Sequence, residues 1–154
     1  VLYDLKEIDP EKHKEFIKQG NERILENIKY IKEFMQTHKR PSDLWIRTPI
    51  IPGATATKEN IRGIGAFIGE HLSEAVSRWE LCSFNNLCKD KYQRLGLDWP
   101  FKNQDLITKA FMEHLTDIAK KSGVAPNIVI WTGATKVEEK TDKSPEEENT
   151  SFAW

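Results

Sequence analysis

Asp4 and Lys6 stand two apart in VLYDLKEIDPEKH, a spacing that puts both side chains on one face of an extended chain while Leu5 points the other way. A carboxylate and an ammonium so placed can bind hydroxyls, a carboxylate or a cation, or can simply form a salt bridge at a strand end. Arg47 lies among apolar residues in LWIRTPIIPG, where an unpaired buried charge is very costly. It is expected either to fork onto a ligand carboxylate or phosphate or to pair with an acidic neighbour such as Asp4. Asn85 and Asn86 follow a strand-like run in ELCSFNNLCKDKY; their carboxamides could read the edge of a heterocycle or make a turn. Pro52-Gly53 ends the Arg47 strand, with Gly53 supplying a special backbone angle.

Other chemistry is thin. His13, His38, His71 and His114 show no metal-ligand spacing. The first three are expected on or near helix exteriors or ends, and His114 is expected to pack beside an apolar stripe. Cys82 and Cys88 are the two cysteines, too few for a disulfide framework and spaced like no zinc or redox motif. There is no glycine-rich phosphate loop, nucleophile elbow or paired-carboxylate signature. No residue is assigned a catalytic or metal-binding role.

The elements that must position these groups follow from periodicity. Helical spacing predicts one helix over about 21–36, capped by Asn21, with Ile24, Leu25, Ile28, Ile31, Phe34 and Met35 inward. A second, over about 57–72, is capped by Thr57 and faces inward through Ile61, Ile64, Phe67, Ile68 and Leu72. A third, over about 103–121, turns Leu106, Ile107, Ala110, Phe111, Leu115 and Ile118 inward and is closed by Gly123. Strand-like runs lie at Val1–Leu5, Leu44–Ile51, Val76–Phe84 and Asn127–Trp131. Strands alternating with helices predict an α/β fold, a partial β/α barrel of about four parallel strands with three main helices. Apolar residues on both faces of the Arg47 strand suit a sheet covered on both sides.

The chain's 154 residues fit one ordinary domain, with 38% hydrophobic and 31% charged residues and a net charge of −1. That charge gives no basis for wrapping nucleic acid, and no apolar run approaches the roughly 18 residues of a membrane span. A cytoplasmic protein with reduced thiols is expected. Residues 1–135 form the β/α part; from 136 the composition turns acidic and poor in aliphatics (EEKTDKSPEEENTSFAW), a tail expected to be mobile. A half barrel leaves an inner face and two edges uncovered, so either further strands come from elsewhere or copies of the chain associate, and the isolated chain is expected to form homodimers.

Taken in order, DLKEIDPEKH, GNERILENI, WIRTPIIPG and ELCSFNNLCKDKY resemble the C-terminal half of the radical S-adenosylmethionine activating enzymes of glycyl-radical enzymes, the group that includes pyruvate formate-lyase activating enzyme. The resemblance covers roughly residues 1–131. It implies a partial β/α barrel whose last strands this chain supplies. It also implies that Asp4 and Lys6 contact the ribose and methionyl part of S-adenosylmethionine, that Asp4 lies near a monovalent cation site, and that Arg47 faces the cofactor and substrate region. The stretch from Pro49 to Gly53 would lie near the adenine. The loop from Phe84 to Asn86 would cover the pocket, with Asn85 a cofactor contact standing where several relatives carry a His.

The intact parent would reductively cleave S-adenosylmethionine with a 4Fe–4S cluster, fed by a flavodoxin- or ferredoxin-type reductant. The resulting 5′-deoxyadenosyl radical would take a hydrogen from a glycine of a partner glycyl-radical enzyme. The family's three-cysteine loop and its glycine-rich segment have no match here, so the chain is expected to be an incomplete portion, inactive by itself. The alternative is a non-catalytic β/α module that binds another protein.

Overall fold

The computed structural model describes residues 1–137. The acidic tail expected from 136 onward falls outside it except for Lys136 and Val137. Four parallel strands, β1 (Leu2–Asp4), β2 (Leu44–Ile50), β3 (Val76–Ser83) and β4 (Val129–Thr132), pair in chain order β1-β2-β3-β4. Between them run α1 (Pro10–Ile17), α2 (Glu22–Thr37), α3 (Lys58–His71), α4 (Cys88–Arg94) and α5 (Lys109–Lys120), then a 3-10 turn at Pro126–Ile128. The partial β/α barrel is therefore present.

One face of the sheet is dry. Leu44, Ile46 and Ile50 of β2, Trp79 and Leu81 of β3, and Val129 of β4 pack on Ile28 of α2, on Ile61, Ile64 and Ile68 of α3, and on Met112, Leu115 and Ala119 of α5. Each fully buried aliphatic side chain contributes about 2 kcal/mol of transfer free energy. Every second residue of β2 is buried, and Trp45, Arg47 and Pro49 between them are half-buried. The expectation of a sheet covered on both faces is thus corrected among the described residues: helices cover one face, and the alternate residues line the other. Close packing of α3 on the end of α5 needs its glycines, because a Cβ at Gly65 would land on Ser122 Oγ.

Three details of the helices depart from expectation. Asn21 does precede α2, but its side chain makes no cap bond and instead donates to Glu7 O (3.0 Å) and Ile8 O (2.8 Å). Helix α5 starts only after Thr108, whose Oγ1 accepts from Phe111 N at 3.2 Å. Its buried residues are Met112, Leu115, Thr116 and Ala119, so Leu115 lies inward as expected while Ala110, Phe111 and the expected packed residue His114 are exposed. Helices α1 and α4 were not expected; Asp9 caps α1 by accepting from Glu11 N (2.9 Å) and Lys12 N (3.1 Å), with Pro10 in its first turn. Within it His13, expected on a helix exterior, is buried.

Pro49 interrupts the pairing of β2 with β1. The ladder runs Trp45 N to Val1 O (2.9 Å) and Leu5 N to Arg47 O (2.9 Å). In a parallel ladder the next bond would come from the N–H of residue 49 to Leu5 O, and proline has none. Thr48 Oγ1 donates to Leu5 O instead (2.8 Å) and accepts from the fully buried Trp79 Nε1 (3.0 Å). Thr48→Val would strand the Leu5 carbonyl and the Trp79 indole N–H together. It is expected to lower stability by about 3 kcal/mol, read as a lower urea midpoint with an unchanged slope.

Candidate functional site

Register places the expected site residues. Asp4, Arg47 and Glu80 are consecutive partners across β1, β2 and β3, so their side chains form an acid–base–acid row on the face that the helices do not cover. Arg47 donates from Nε to Asp4 Oδ1 at 3.0 Å, with Nη2 2.9 Å from the same oxygen. Both contacts fall on Oδ1, which leaves Oδ2 without a protein donor among the described residues. The Asp4 carboxylate raises the Arg47 pKa further above its ordinary value. With both side chains about two-fifths exposed (40% and 43%), the pair is worth at most about 1 kcal/mol and can exchange partners.

Neighbouring groups complete this face. Glu80 Oε1 accepts from Thr132 Oγ1 at 2.8 Å, and the Arg78 guanidinium lies over the Trp45 ring at 3.9 Å. Cys82 shares the face; burial, then the Glu80 charge, pushes its thiol pKa up, so it is a poor nucleophile. Glu80, Thr132 and Arg78 were not singled out from sequence. The alternation of Arg78, Glu80 and Cys82 with Trp79 and Leu81 was the available signal.

Lys6 lies past the end of β1, exposed, and forms no ion pair among the described residues. Its carbonyl is fixed: Asn60 Nδ2 donates to Lys6 O (2.9 Å) and Thr55 O (3.1 Å), while Asn60 Oδ1 accepts from Ile8 N (2.9 Å). With the two bonds from Asn21, the backbone from 6 to 8 is held by two buried asparagines. Asn85 is exposed and its Oδ1 accepts from Leu87 N at 3.2 Å, the turn-forming role. It is not brought into contact with Asp4, Lys6 or Arg47. Above it, Phe84 stacks with Trp99 (6.0 Å between centroids) and meets Phe101 edge-on.

At the carboxyl ends of β1 and β2 lies a cleft of about 480 Å³, walled by Phe16, Ile17, Ile51, Ala54, Pro100 and Phe101, with Lys6, Glu7 and His13 also in its lining. Glu7, 2% exposed, was missed from sequence. Its Oε1 accepts from Asp9 N at 3.1 Å, whereas Oε2 is buried with no partner.

No group of three or more His, Cys, Asp or Glu among the described residues is arranged to hold a metal ion. No helix among them is long and apolar enough to cross a membrane.

No protein-family model matches the sequence. It is 36% identical over 121 residues to the indoleacetate decarboxylase activating enzyme of Tractidigestivibacter scatoligenes, covering 79% of this chain and 36% of that protein. To the (2S)-3-sulfopropanediol dehydratase activating enzyme of Klebsiella oxytoca it is 32% identical over 120 residues, 78% of this chain and 36% of that one. The pyruvate formate-lyase-activating enzyme of Streptococcus mutans is 28% identical over 102 residues. The chain thus spans little more than a third of these relatives. A crystal structure of a domain of pyruvate-formate lyase-activating enzyme from Bacteroides vulgatus superposes with a TM-score of 0.59 at 21% identity, over 86% of this chain and 66% of that one. That likeness establishes the fold.

Burial, the largest effect, raises the Glu7 pKa above its ordinary value of 4.5. A raised folded-state value means folding favours the protonated form, so this stability is fully present below the unfolded-state pKa and lost as pH rises through the folded one. Glu7→Gln should remove that dependence and match or exceed the parent at pH 7, measured by urea denaturation across pH 4 to 8.

Proposed function

The chain is related by sequence to the glycyl-radical-enzyme activating enzymes, and from that premise we propose that it supplies the S-adenosylmethionine-facing strands of such an enzyme. The observation that carries this reading is the Asp4–Arg47 pair: a guanidinium grips one carboxylate oxygen on the open sheet face, and the other has no protein donor among the described residues. In β/α barrels ligands sit at the carboxyl ends of the strands, where Asp4 and Lys6 lie.

The residues present fit S-adenosylmethionine. Asp4 Oδ2 can accept from ribose hydroxyls, the Lys6 ammonium, without an ion pair among the described residues, can meet the methionyl carboxylate, and half-buried Trp45 and Pro49 offer apolar surface. Arg47 holds the Asp4 carboxylate by Oδ1 on the open face, and Asn60 holds the Lys6 backbone. Asn85 is assigned to the mouth of the site, where leaving its turn would free the carboxamide. When bound, S-adenosylmethionine supplies, on one-electron reduction, the group that removes a hydrogen from a glycine of the partner enzyme.

A 4Fe–4S cluster does not fit this chain's own residues. It needs three thiolates in the family pattern, and the chain holds two cysteines, Cys82 on β3 and Cys88 on α4. No step is therefore routed through it here; in the intact enzyme its ligands lie beyond these residues, and this portion is inactive alone. The partner is a glycyl-radical enzyme, the reductant a flavodoxin or ferredoxin, and the setting cytoplasmic.

The test is anaerobic mixing with the cluster-binding N-terminal portion of a relative, after iron–sulfur reconstitution, scored by 5′-deoxyadenosine formed. The pair should give product and the chain alone none. Asp4→Ala or Arg47→Ala should each cut the yield by about tenfold or more, the cost of one charge-assisted contact. A folded, reconstituted pair that forms no product overturns the reading. In isolation the open face, with half-buried Trp45, Pro49 and Ile130, should bring two copies together. Light scattering showing a stable monomer at high concentration would refute that.

A further inference from the structure

We propose that the cleft at the carboxyl ends of β1 and β2 is a binding site for an apolar organic cation, an ammonium or guanidinium on an apolar stem, with Glu7 as its counter-charge. The inference does not rest on the Asp4–Arg47 pair, although Lys6 and Ile51 line this cleft as well.

Two observations point to the ligand. The cleft has about 480 Å³ of room and six apolar residues in its walls, of which Phe16 and Ile17 are 39% and 48% exposed. In the same lining Glu7 is almost wholly buried, and its Oε2 is the one buried side-chain polar atom without a hydrogen-bond partner among the described residues. A buried carboxylate oxygen left unpaired is costly, and the protein keeps this one in the lining of a space that a ligand can enter.

The sign of the ligand follows from the neighbouring groups. His13 Nδ1 lies 2.6 Å from Gln19 O. A carbonyl only accepts, so Nδ1 carries the hydrogen, and in the neutral ring Nε2 is an acceptor. The His13 ring makes its one hydrogen bond among the described residues through Nδ1. Glu7 and His13 both line this cleft, and Glu7 carries a buried carboxylate oxygen without a partner among the described residues. Of the lysines in the lining, Lys18 donates its ammonium to Glu15 O at 2.9 Å, and Lys6 is exposed at the rim. The complement of an unpartnered carboxylate oxygen and apolar walls is a donor-bearing cation on an apolar body. This is also the chemistry of a Lys or Arg side chain flanked by an apolar residue on a partner protein.

The full chain, labelled with nitrogen-15, is titrated with phenethylammonium, with acetyl-Phe-Arg-amide and with neutral 2-phenylethanol. The Asp9 amide, which donates to Glu7 Oε1, reports directly on the carboxylate. Phenethylammonium should bind at least about tenfold more tightly than the alcohol, one charge-assisted contact's worth, and should shift the Asp9 and His13 amides. Glu7→Gln, expected to fold at least as well as the parent, should erase the preference. The peptide binding more tightly than the free amine assigns the site to a partner's side chain, and the reverse assigns it to a small molecule; either supports the cation site. Equal binding of amine and alcohol, retention of the preference in Glu7→Gln, or no binding by any probe overturns it.

Discussion

A missing N–H governs this architecture. Pro49 sits in β2, a strand with neighbours on both sides, a place where proline is ordinarily excluded. It is tolerated because the side that lacks the donor is the side on which β1 has run out. From that point each backbone group must find another partner. Thr48 takes Leu5 O, the Thr55 hydroxyl takes Pro49 O, Asn60 takes Lys6 O and Ile8 N, and Asn21 takes Glu7 O and Ile8 O. β1 is thereby peeled off the sheet in a defined direction. The gap between it and the end of β2 becomes the mouth at which the chemistry-bearing residues collect.

Much of this was legible in the sequence. The β2 and β3 ranges, the Thr57 cap and the α3 inner face follow from period and end signals that tertiary structure left intact. The pairing of Arg47 with Asp4 was legible too, because a lone cation amid apolar residues needs an acid and parallel strands bring one into register. What failed did so for physical causes. The α5 face was phased from residues that prove to be loop, and the true cap at Thr108 shifted it by more than a turn. Helix α1 carried its Asp-Pro start signal, but at eight residues it is too short for an apolar stripe to register. Asn21 suited a cap, yet its carboxamide is spent on carbonyls distant in sequence. Glu7 looked like a solvated charge, since burial by α1 and the loop near residue 100 depends on contacts that local sequence cannot express.

The two carboxylates near the mouth are held in opposite ways. Asp4 is reached by both water and a guanidinium, and its second oxygen has no protein donor among the described residues. Glu7 is almost wholly buried, and its charge is met by the backbone at Asp9 and Ile8 and by the more distant Lys12. The first arrangement suits a ligand that arrives and leaves often. The second favours whatever relieves the isolation, whether a proton or a cation.

The strands of this sheet lie side by side in the order in which they are synthesised. No later strand has to be inserted between two earlier ones, and each newly made strand finds its docking edge already complete. A chain emerging from the ribosome can therefore lay down the sheet progressively, each βα unit covering the one before. Loop-closure cost stays that of a single unit throughout. The same order means that β1 and β4 present free edges in the described chain, so growth could be extended from either side without disturbing a bond already made.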